Sequence, residues 1–549
     1  MSLNSLHIAS SALRASKLQV EITSRNISGV SDPNYTRQTA QVRNVGPAQA
    51  TLTGHTHGLG VIVEGFDRTR DALLDRSFRV HHRAAQGANS VDPLANRLES
   101  VLGDGSGLLE TARDIRLGLL EVAGHPEDVA LRADLLQNIQ NLTDRFHATS
   151  SELQDLGAES KARMEAGVER FNEILNELAG INKELPPLAK TSGRNALLDQ
   201  RDALLDELSS LAEVRTVEQK SGAVAVYLDG RQMLFGTKAE GLVLDDDQNL
   251  QTTLGTSVSV EEGVLGANSD FGKLVIPQFR EKLDALASSL ADEFNSVHRN
   301  GYGLDGLAGR DLFSGDSAST LKPAISDPAQ LGAASARMTS SAALNENGFS
   351  PTLSLASQSG TLPTPPSSSG SVDINGTIVN WTDTMSTDAI LESFSAAGVA
   401  AAYDSSTGKV SLQKDPNAPP PPDIVINDVT GNLVQALALD TAVSAPAIPG
   451  DGAVLRALQQ KLDEVVELDA GLSALQTRSG SVRRSFQDEA ERASLLEADA
   501  KGRRDNVSAV SLDEELLALE RYQQSFAAAA RIAATADDIL ETIINLGRN

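Results

Sequence analysis

Cysteine is absent from the 549-residue chain, and this absence excludes several classes of chemistry. Without a thiol the chain forms no disulfide, uses no thiolate nucleophile and holds no zinc ion or iron–sulfur cluster through cysteine. Aromatic residues make up only 3 %, and Trp381 is the single tryptophan. Because large rings bury the most area per residue, we expect the cores to be aliphatic and rich in alanine.

Positive charge is also scarce. The chain has 47 Lys and Arg against 74 Asp and Glu, a formal net charge of −27. This balance argues against nucleic acid as a partner and against binding to an anionic lipid surface. No stretch approaches the roughly 20 apolar residues of a membrane span, so we expect no membrane insertion. Residues 1–30 lack the basic start and apolar block of a cleaved signal peptide.

Both ends of the chain have the pattern of amphipathic helices. Near the amino terminus, Leu6, Leu13, Val20 and Ile27 recur every seven residues and therefore lie on one helical stripe. Small residues form the neighbouring seam, which lets a partner helix come close. These small residues are Ala9, Ser16 and Thr23.

The carboxyl-terminal stripe alternates by three and four residues. Acidic residues 513–515 lie in its first turn, where carboxylates complement the helix dipole. The stripe consists of Leu512, Leu516, Leu519, Tyr522, Phe526, Ala529, Ala533, Ala536, Leu540 and Ile543.

These stripes have two interpretations, which do not exclude each other. An amphipathic helix commonly packs within its own domain, but chain termini are seldom well ordered unless something holds them. One seam on one partner covers only part of each helix. We therefore expect the terminal segments to be weakly ordered in a single molecule and helical when neighbouring copies cover further faces.

Between the ends the periodicity changes several times. Residues 91–213 are predicted to be helical, residues 214–268 have the strand period, and residues 271–299 return to helix. Asp229-Gly230 separates two alternating runs, which is typical of a β-hairpin.

Residues 345–450 form a distinct insert. Its first part, 351–370, is rich in Ser, Pro and Thr and is predicted to be a loop. Asn375-Gly376 indicates a second hairpin. A short helix over 391–399 and strands over 400–403 and 410–413 should follow, and helix should resume at about 452.

Nothing in the sequence indicates an enzyme. The eight histidines include no H-E-x-x-H spacing, and paired carboxylates are too common in so acidic a chain to select a site. Gly301, Gly303 and Gly306 match G-x-G-x-x-G, but they follow a predicted helix instead of a strand and indicate a turn. Asp245–Asp247 lack the spacing of a calcium loop and indicate a hairpin tip. We predict no catalytic residue, cofactor or metal.

The segment 24–42, SRNISGVSDPNYTRQTAQV, carries a recognisable signature. Asn26, Ile27 and Ser28 end a helix, a polar turn follows, and Tyr35-Thr36-Arg37-Gln38 comes next. This arrangement resembles the shared amino-terminal signature of the bacterial flagellar axial proteins. Arg25 and Asn34 depart from the residues that are usual there, but Asn tolerates the left-handed turn conformation better than most other non-glycine residues.

Three further segments, in the same order and at the expected chain length, resemble the hook-associated members of that family in particular. They are 197–214, 279–313 and 510–546. The resemblance implies a multidomain α+β fold: long terminal helices in a coiled-coil-like inner domain, a helical bundle and outward β-rich domains. The implied parts are 1–40 with 505–549, 41–213 with 271–320 and 452–504, 214–270, and the variable surface insert 345–450.

The resemblance also implies a function. It indicates a non-enzymatic adapter at the hook–filament junction, needed for flagellum assembly and motility, exported unfolded and without a cleaved signal peptide to the extracellular flagellum. The implied partners are further copies of the chain, the hook protein, the second junction protein and an export chaperone on the carboxyl-terminal helix. Candidate assembly contacts are Leu6, Leu13, Val20, Ile27, Tyr35, Arg37, Leu512, Leu516, Leu519, Tyr522, Phe526, Leu540 and Ile543.

Two alternatives stay open at this point. Another axial protein, such as a hook protein or a flagellin, would share the terminal signature but not the segments 197–214 and 279–313. A cytosolic coiled-coil scaffold would explain the heptads but neither the hairpins nor the insert.

Overall fold

Long helices dominate the computed structural model, and short antiparallel sheets lie between them in sequence. The structure describes residues 2–45, 60–103, 107–185, 192–245, 247–344, 348–447, 450–464 and 467–546. Side chains are described from residue 6 to residue 542 of these ranges, residue 192 excepted. The α+β fold class predicted from the sequence is confirmed.

The helices cover both termini and most of the region from 72 to 211. In chain order they are α1 (Ser2–Gly29), α2 (Ala72–Leu102), α3 (Leu108–Gly124), α4 (Val129–Glu184), α5 (Ser192–Leu211), α6 (Gly263–Asp270), α7 (Ile276–His298), α8 (Thr387–Ser393), α9 (Leu433–Ala436), α10 (Ala453–Glu464), α11 (Leu468–Ser508) and α12 (Leu512–Leu546).

The strands are short and pair antiparallel. In chain order they are β1 (Gln38–Asn44), β2 (Val61–Arg68), β3 (Val214–Glu218), β4 (Val224–Leu228), β5 (Arg231–Phe235), β6 (Lys238–Ala239), β7 (Leu242–Leu244), β8 (Leu250–Thr252), β9 (Phe313–Ser314), β10 (Lys322–Pro323), β11 (Ala336–Thr339), β12 (Ser369–Ile374), β13 (Thr377–Thr382), β14 (Val399–Asp404), β15 (Lys409–Lys414), β16 (Ile426–Thr430) and β17 (Ala445–Pro446).

Both predicted hairpin turns are confirmed. Asp229 and Gly230 have φ of 48° and 71°, and they connect β4 to β5. Asn375 and Gly376 have φ of 51° and 88°, and they connect β12 to β13. Two successive positive φ values match the twist of a tight hairpin, and Asp-Gly and Asn-Gly adopt them at low cost.

The chain divides into two compact units. The first contains Met1–Ala95, Gly157–Leu274 and Arg483–Asn549. Its sheet has the order β3-β4-β5-β6 and packs its inner face on α4 and α5. The core of this unit includes Phe171, Leu178, Leu205, Leu208, Val226 and Leu234.

The second unit contains Asn96–Leu156 and Val275–Val482. A four-stranded sheet in the order β14-β15-β11-β17 and a three-stranded sheet in the order β13-β12-β16 share one core, which we call the β module. The largest side chains of this core are fully buried, with Trp381 2 % and Phe394 0 % exposed.

A buried histidine is part of the same unit. His298 lies at the end of α7, with Nδ1 2.8 Å from the Arg310 carbonyl oxygen. Its Nε2 accepts a 2.8 Å hydrogen bond from the Gly332 amide. Both ring nitrogens are satisfied by the backbone, so His298 is a core residue in its neutral form.

Several local predictions need correction. Residues 38–44 and 61–68 form a hairpin within a region that was predicted to be mainly helical. β1 is mostly polar, and the apolar residues of β2 do not alternate with polar ones, so the sequence lacks the period of a strand here. Both strands pack along α1. Helix also begins at Gly263 instead of 271.

The insert differs in detail as well. Its helix begins at Thr387 instead of 391, because the Ser386 side chain caps it by accepting from the Ala389 amide. The helical turns end at Gly398, which has a φ of 70°, so Val399 already belongs to a strand. The four-stranded sheet of the β module also contains β11, which precedes residue 345 in the chain and pairs with β15. The division into four parts stays a prediction.

Candidate functional site

The two ends of the chain pack against each other as an antiparallel helix pair, which we call the terminal pair. It consists of α1 and α12. The side chain of Asn26, near the end of α1, donates a 3.0 Å hydrogen bond to Glu515, in the first turn of α12. Because the end of one helix meets the start of the other, the two run in opposite directions.

Small side chains form the buried seam of the terminal pair. On α1 the buried positions include Ala9, Ser16 and Thr23, spaced by seven residues, and on α12 they include Ala529 and Ala536. A seven-residue spacing keeps one edge of a helix facing its partner, and small residues at that edge let the two backbones approach closely. The seam noted in the sequence is therefore the packed edge.

The large apolar residues of the predicted stripes flank this seam. Leu6, Leu13, Val20 and Ile27 on α1 are half-buried, and so are Leu519, Tyr522 and Leu540 on α12. Leu512, Leu516 and Phe526 are exposed by 41–48 %. Ile543 lies in α12, but its side chain is outside the described residues. As contacts between copies, these residues stay a prediction.

The described part of α12 carries exposed apolar side chains on both sides of the seam. At about 100° per residue, Ile532 and Ile539 lie on one side, and Leu512 and Leu516 lie on the other. Ile532 is 57 % and Ile539 49 % exposed. One helix partner therefore covers only the middle of the apolar surface.

A polar cluster closes the end of the terminal pair. Asn26 is 1 % exposed, and its side-chain amide also donates to the Gln38 carbonyl oxygen at 3.0 Å. Its Oδ1 accepts from the Tyr35 hydroxyl at 2.9 Å and from the Gln38 amide at 3.1 Å. A buried amide with four partners is fully satisfied, and it holds the turn after α1 in one geometry.

Arg37 connects this cluster to the opposite end of the chain. Its Nε donates to Glu515 at 2.7 Å, and its guanidinium lies 3.1 Å from Glu514. Its backbone amide donates to the Ser508 carbonyl oxygen at 2.9 Å. Since Glu515 is only 2 % exposed, Arg37 and Asn26 neutralise and solvate a carboxylate that water does not reach.

Tyr35 stays neutral in this cluster. Burial, together with the charge of Asp199, raises the pKa of its phenol to about 12. The ring lies against Gly29, where a Cβ would come within 2.7 Å of it. Tyr35 therefore requires glycine at that position and donates its hydroxyl proton to Asn26.

A second charged cluster, which the sequence analysis missed, fixes the hairpin β1–β2 to α5. Arg68 contacts both Asp199 and Asp202 at 2.8 Å, and Arg70 contacts Asp202 at the same distance. Arg201 donates to Asp202 at 2.7 Å. The sequence predicts helix over 197–211 and a family resemblance over 197–214, but no charged cluster; the Asp-Gln-Arg-Asp run at 199–202 was the available signal.

The pKa values of the two carboxylates of this cluster are shifted in opposite directions. Burial raises the pKa of Asp199, and the hydrogen bond from Arg68 only partly opposes that rise. Burial acts on Asp202 in the same sense, but Arg201, Arg68 and Arg70 overcome it and lower its pKa to about 2. Asp202 is the fixed anion around which the cluster is built.

The described residues contain neither a cluster of metal-ligating side chains nor a membrane-spanning helix. In the described part of the chain no group of three or more His, Asp or Glu side chains could hold a metal ion. No described helix is long and apolar enough to cross a membrane. Gly303–Gly306 form a turn, closed by a 3.0 Å hydrogen bond from the Gly303 amide to the Leu307 carbonyl oxygen.

Comparisons with known proteins point to one family. The family model described as "Flagellar hook-associated protein FlgK helical domain" matches residues 95–313. The flagellar hook-associated protein 1 of Escherichia coli K12 is 25 % identical over 569 residues, which cover 98 % of this chain and 98 % of that protein. The protein of the same name from Bacillus subtilis is 26 % identical over 351 residues, covering 56 % of this chain and 69 % of its own length.

A solved structure supports the fold. The hook junction protein FlgK from Burkholderia pseudomallei has a TM-score of 0.58 and 15 % sequence identity, covering 79 % of this chain and 100 % of that structure. At this identity the likeness concerns the fold alone. Sequence and fold agree, and they confirm the resemblance drawn from the terminal signature: over nearly its whole length the chain is similar to the proteins named flagellar hook-associated protein 1.

Proposed function

We propose that the chain is a structural component of the bacterial flagellum. Several copies of it form an adapter at the junction between hook and filament. The similarity over 98 % of the chain to proteins named for the hook supports the location. The terminal pair supports the mechanism, because part of its apolar surface stays exposed within one molecule.

The single observation that carries the mechanism is the contrast between the seam and its flanks. Alanines fill the seam, whereas leucines, isoleucines and Phe526 are left on the exposed flanks. Each such side chain gains about 1.5–3 kcal/mol when it is fully buried, and two exposed flanks can receive two neighbours. Repeated head-to-tail contacts of this kind generate a cylinder and not a closed dimer.

The partners follow from this position. The chain contacts further copies of itself, the hook protein on one side and the second hook-associated protein on the other. Before assembly, the exposed apolar face of α12 is the surface that an export chaperone would cover. The assembled protein is extracellular. The role is mechanical and not enzymatic.

Substitution on the exposed flank tests the mechanism. Ile539→Asp and Phe526→Asp should abolish filament attachment in a deletion strain that is complemented with the variant, because a carboxylate cannot be buried against a neighbour at low cost. Motility and electron microscopy of the cells are the measurements, with hooks lacking filaments as the expected result.

Gln524→Asp is the matched control. Gln524 is exposed on the side of α12 away from the seam, between the two flanks, and tests whether an added negative charge alone matters. Secretion of each variant into the medium must be measured too, since loss of export would also remove filaments. Normal filaments on cells that carry only Ile539→Asp and Phe526→Asp would refute assembly through the terminal pair.

A further inference from the structure

Two sheet faces outside the terminal pair share an unusual property: they are solvent-exposed yet carry large apolar side chains. The first is the outer face of the sheet β3-β4-β5-β6. Val217 is 43 % and Phe235 57 % exposed there. Side chains alternate between the two faces along a strand. Thr216 precedes Val217 and Leu234 precedes Phe235, and both Thr216 and Leu234 pair with Val226 of the core. Val217 and Phe235 therefore lie on the opposite, outer face.

This first face is basic. Arg215 pairs with Tyr227 across the sheet, and Tyr227 pairs with Gln232 in the next strand. Lys238 is opposite Phe235. We call this set of six residues the basic sheet face: Arg215, Val217, Tyr227, Gln232, Phe235 and Lys238.

The lack of negative charge on this face stands out in a chain with a net charge of −27. The four strands contain one carboxylate, that of Glu218, and it is held 2.9 Å from the buried Arg201. Within the described part of the chain, Arg215 and Lys238 have no ion-pair partner. The face therefore combines free positive charge with an apolar row.

The second face is the outer face of the sheet β13-β12-β16 in the β module. Ile378 pairs with Asp373, and Asp373 pairs with Asn427 on the other side. Ile378, Val425 and Val429 are 53 %, 47 % and 54 % exposed. We call this set the acidic sheet face: Asp373, Ile378, Asn380, Val425, Asn427 and Val429.

Negative charge predominates in the surrounding module, where Arg337 and Lys409 are the positive side chains that are not buried among the described residues. From residue 338 to residue 408 the sequence contains no Lys or Arg. Of the next two lysines, Lys414 is 1 % exposed and donates to the Pro419 carbonyl oxygen at 2.7 Å, so it adds nothing to the surface. The acidic sheet face thus lies in a field that attracts cations.

We propose that the basic sheet face of one copy docks on the acidic sheet face of a neighbouring copy. This inference rests on the proposed function, because it needs copies held side by side. The two faces have apolar rows of similar size and opposite charge, so apolar contact supplies the buried area and the charges set the orientation. Two different surfaces on one chain form a heterologous contact, which a cylinder requires.

The lack of native cysteine makes this contact easy to test. Gln232→Cys lies on the basic sheet face and Asn380→Cys on the acidic sheet face, and both positions are exposed. Flagella carrying both substitutions in each copy are treated with a short bifunctional thiol cross-linker. The expected product is a ladder of covalent oligomers, since each copy would be linked to two neighbours.

A matched pair controls for random collisions. Leu254→Cys is 81 % exposed at the turn after β8, outside the strands that form the two faces, and is combined with the same Asn380→Cys. This pair should give monomer only, as should each single variant. Arg215→Glu with Lys238→Glu should reduce the ladder about tenfold, and adding Asp373→Lys should restore much of it.

The outcomes separate this contact from the proposed function. If the double-cysteine variant forms normal filaments but no ladder, or if the control pair gives the same ladder, the contact between the two sheet faces is wrong and the junction role stands. If the unsubstituted chain never enters the flagellum, the junction role is wrong, and the proposed contact between the two sheet faces is wrong as well.

Discussion

The terminal pair and the β module differ in how completely one molecule buries its own apolar side chains. In the β module Trp381 and Phe394 are 2 % and 0 % exposed, and two sheets surround them. In the terminal pair the buried seam holds alanines, whereas Phe526 and Ile532 are 41 % and 57 % exposed. Large side chains are fully buried in the β module, whereas in the described part of the terminal pair Ile22 is the buried one and the other large apolar side chains are half-buried or exposed.

This difference shows where each region obtains its stability. A core filled with large side chains closes on itself, and most of its hydrophobic free energy is realised within one chain. A seam of alanines contributes less, and the remaining apolar area is available only to neighbours. The module is complete alone, whereas the terminal pair is completed by assembly.

The largest expected effect is in the module. Trp381→Ala should lower the free energy of unfolding of the β module by about 3–5 kcal/mol, because it removes the largest buried side chain. Segment-resolved hydrogen exchange is the measurement, and α12 should exchange as before. Ile378→Ala, at an exposed position of the same strand, is the control and should change little. An equal loss of hydrogen-exchange protection in α1 and α12 would show that the β module and the terminal pair are not stabilised separately.

Acid should weaken the second unit through His298. Burial lowers its pKa to about 4, Arg310 and Arg132 act in the same sense, and the Arg310 carbonyl and Asp311 oppose them. The unfolded chain protonates near pH 6.5. Stability from the neutral ring is therefore complete above pH 6.5 and is lost as pH falls towards 4, by about 3 kcal/mol.

His298→Gln isolates this contribution, because glutamine stays neutral and can still donate and accept hydrogen bonds. Urea unfolding of the variant and the unsubstituted chain at pH 7, 6 and 5 gives the comparison. The difference in unfolding free energy between them should change with pH in that window. If the unfolding free energies of the two proteins change with pH in the same way, His298 is not a neutral buried histidine.

Removing the cation of the terminal cluster should loosen the terminal pair. Arg37→Ala leaves Glu515 buried without its main partner, and we expect a loss of about 1.5–3 kcal/mol. Hydrogen exchange in α1 and the first turns of α12 is the measurement. Arg25→Ala, which breaks only an exposed pair with Glu21, should change exchange little. Similar effects of the two substitutions would show that the cluster does not hold the helices.

The smallest expected effect tests the seam itself. Ala529→Leu forces the helices apart and should cost about 1–3 kcal/mol, because the closely packed edge has no room for a larger side chain. Ala528→Leu, at the adjacent exposed position, should stay within about 0.5 kcal/mol. The midpoint of thermal unfolding of α12 separates the two. Equal shifts would mean that the alanine seam is not packed against α1.

Local features were predictable where a short pattern decides the backbone. Asp229-Gly230 and Asn375-Gly376 determine their hairpins because few other residue pairs accept two positive φ values. The hairpin β1–β2 was not predictable in this way, since its strands lack an alternating apolar pattern and depend on contact with α1. The cluster around Asp202 was equally hidden, because Arg68 and Arg70 lie more than 130 residues away from it in sequence.

The residue pattern alone decided that both chain ends are amphipathic helices and that one carries a small-residue edge, because helical period and side-chain size are local properties. Only the folded structure decided which edge is buried. It placed Ala9, Ser16 and Thr23 in the seam and left the leucine stripe at its flank. Burial depends on what lies opposite a residue in space, and here the opposite residues come from the other end of the chain.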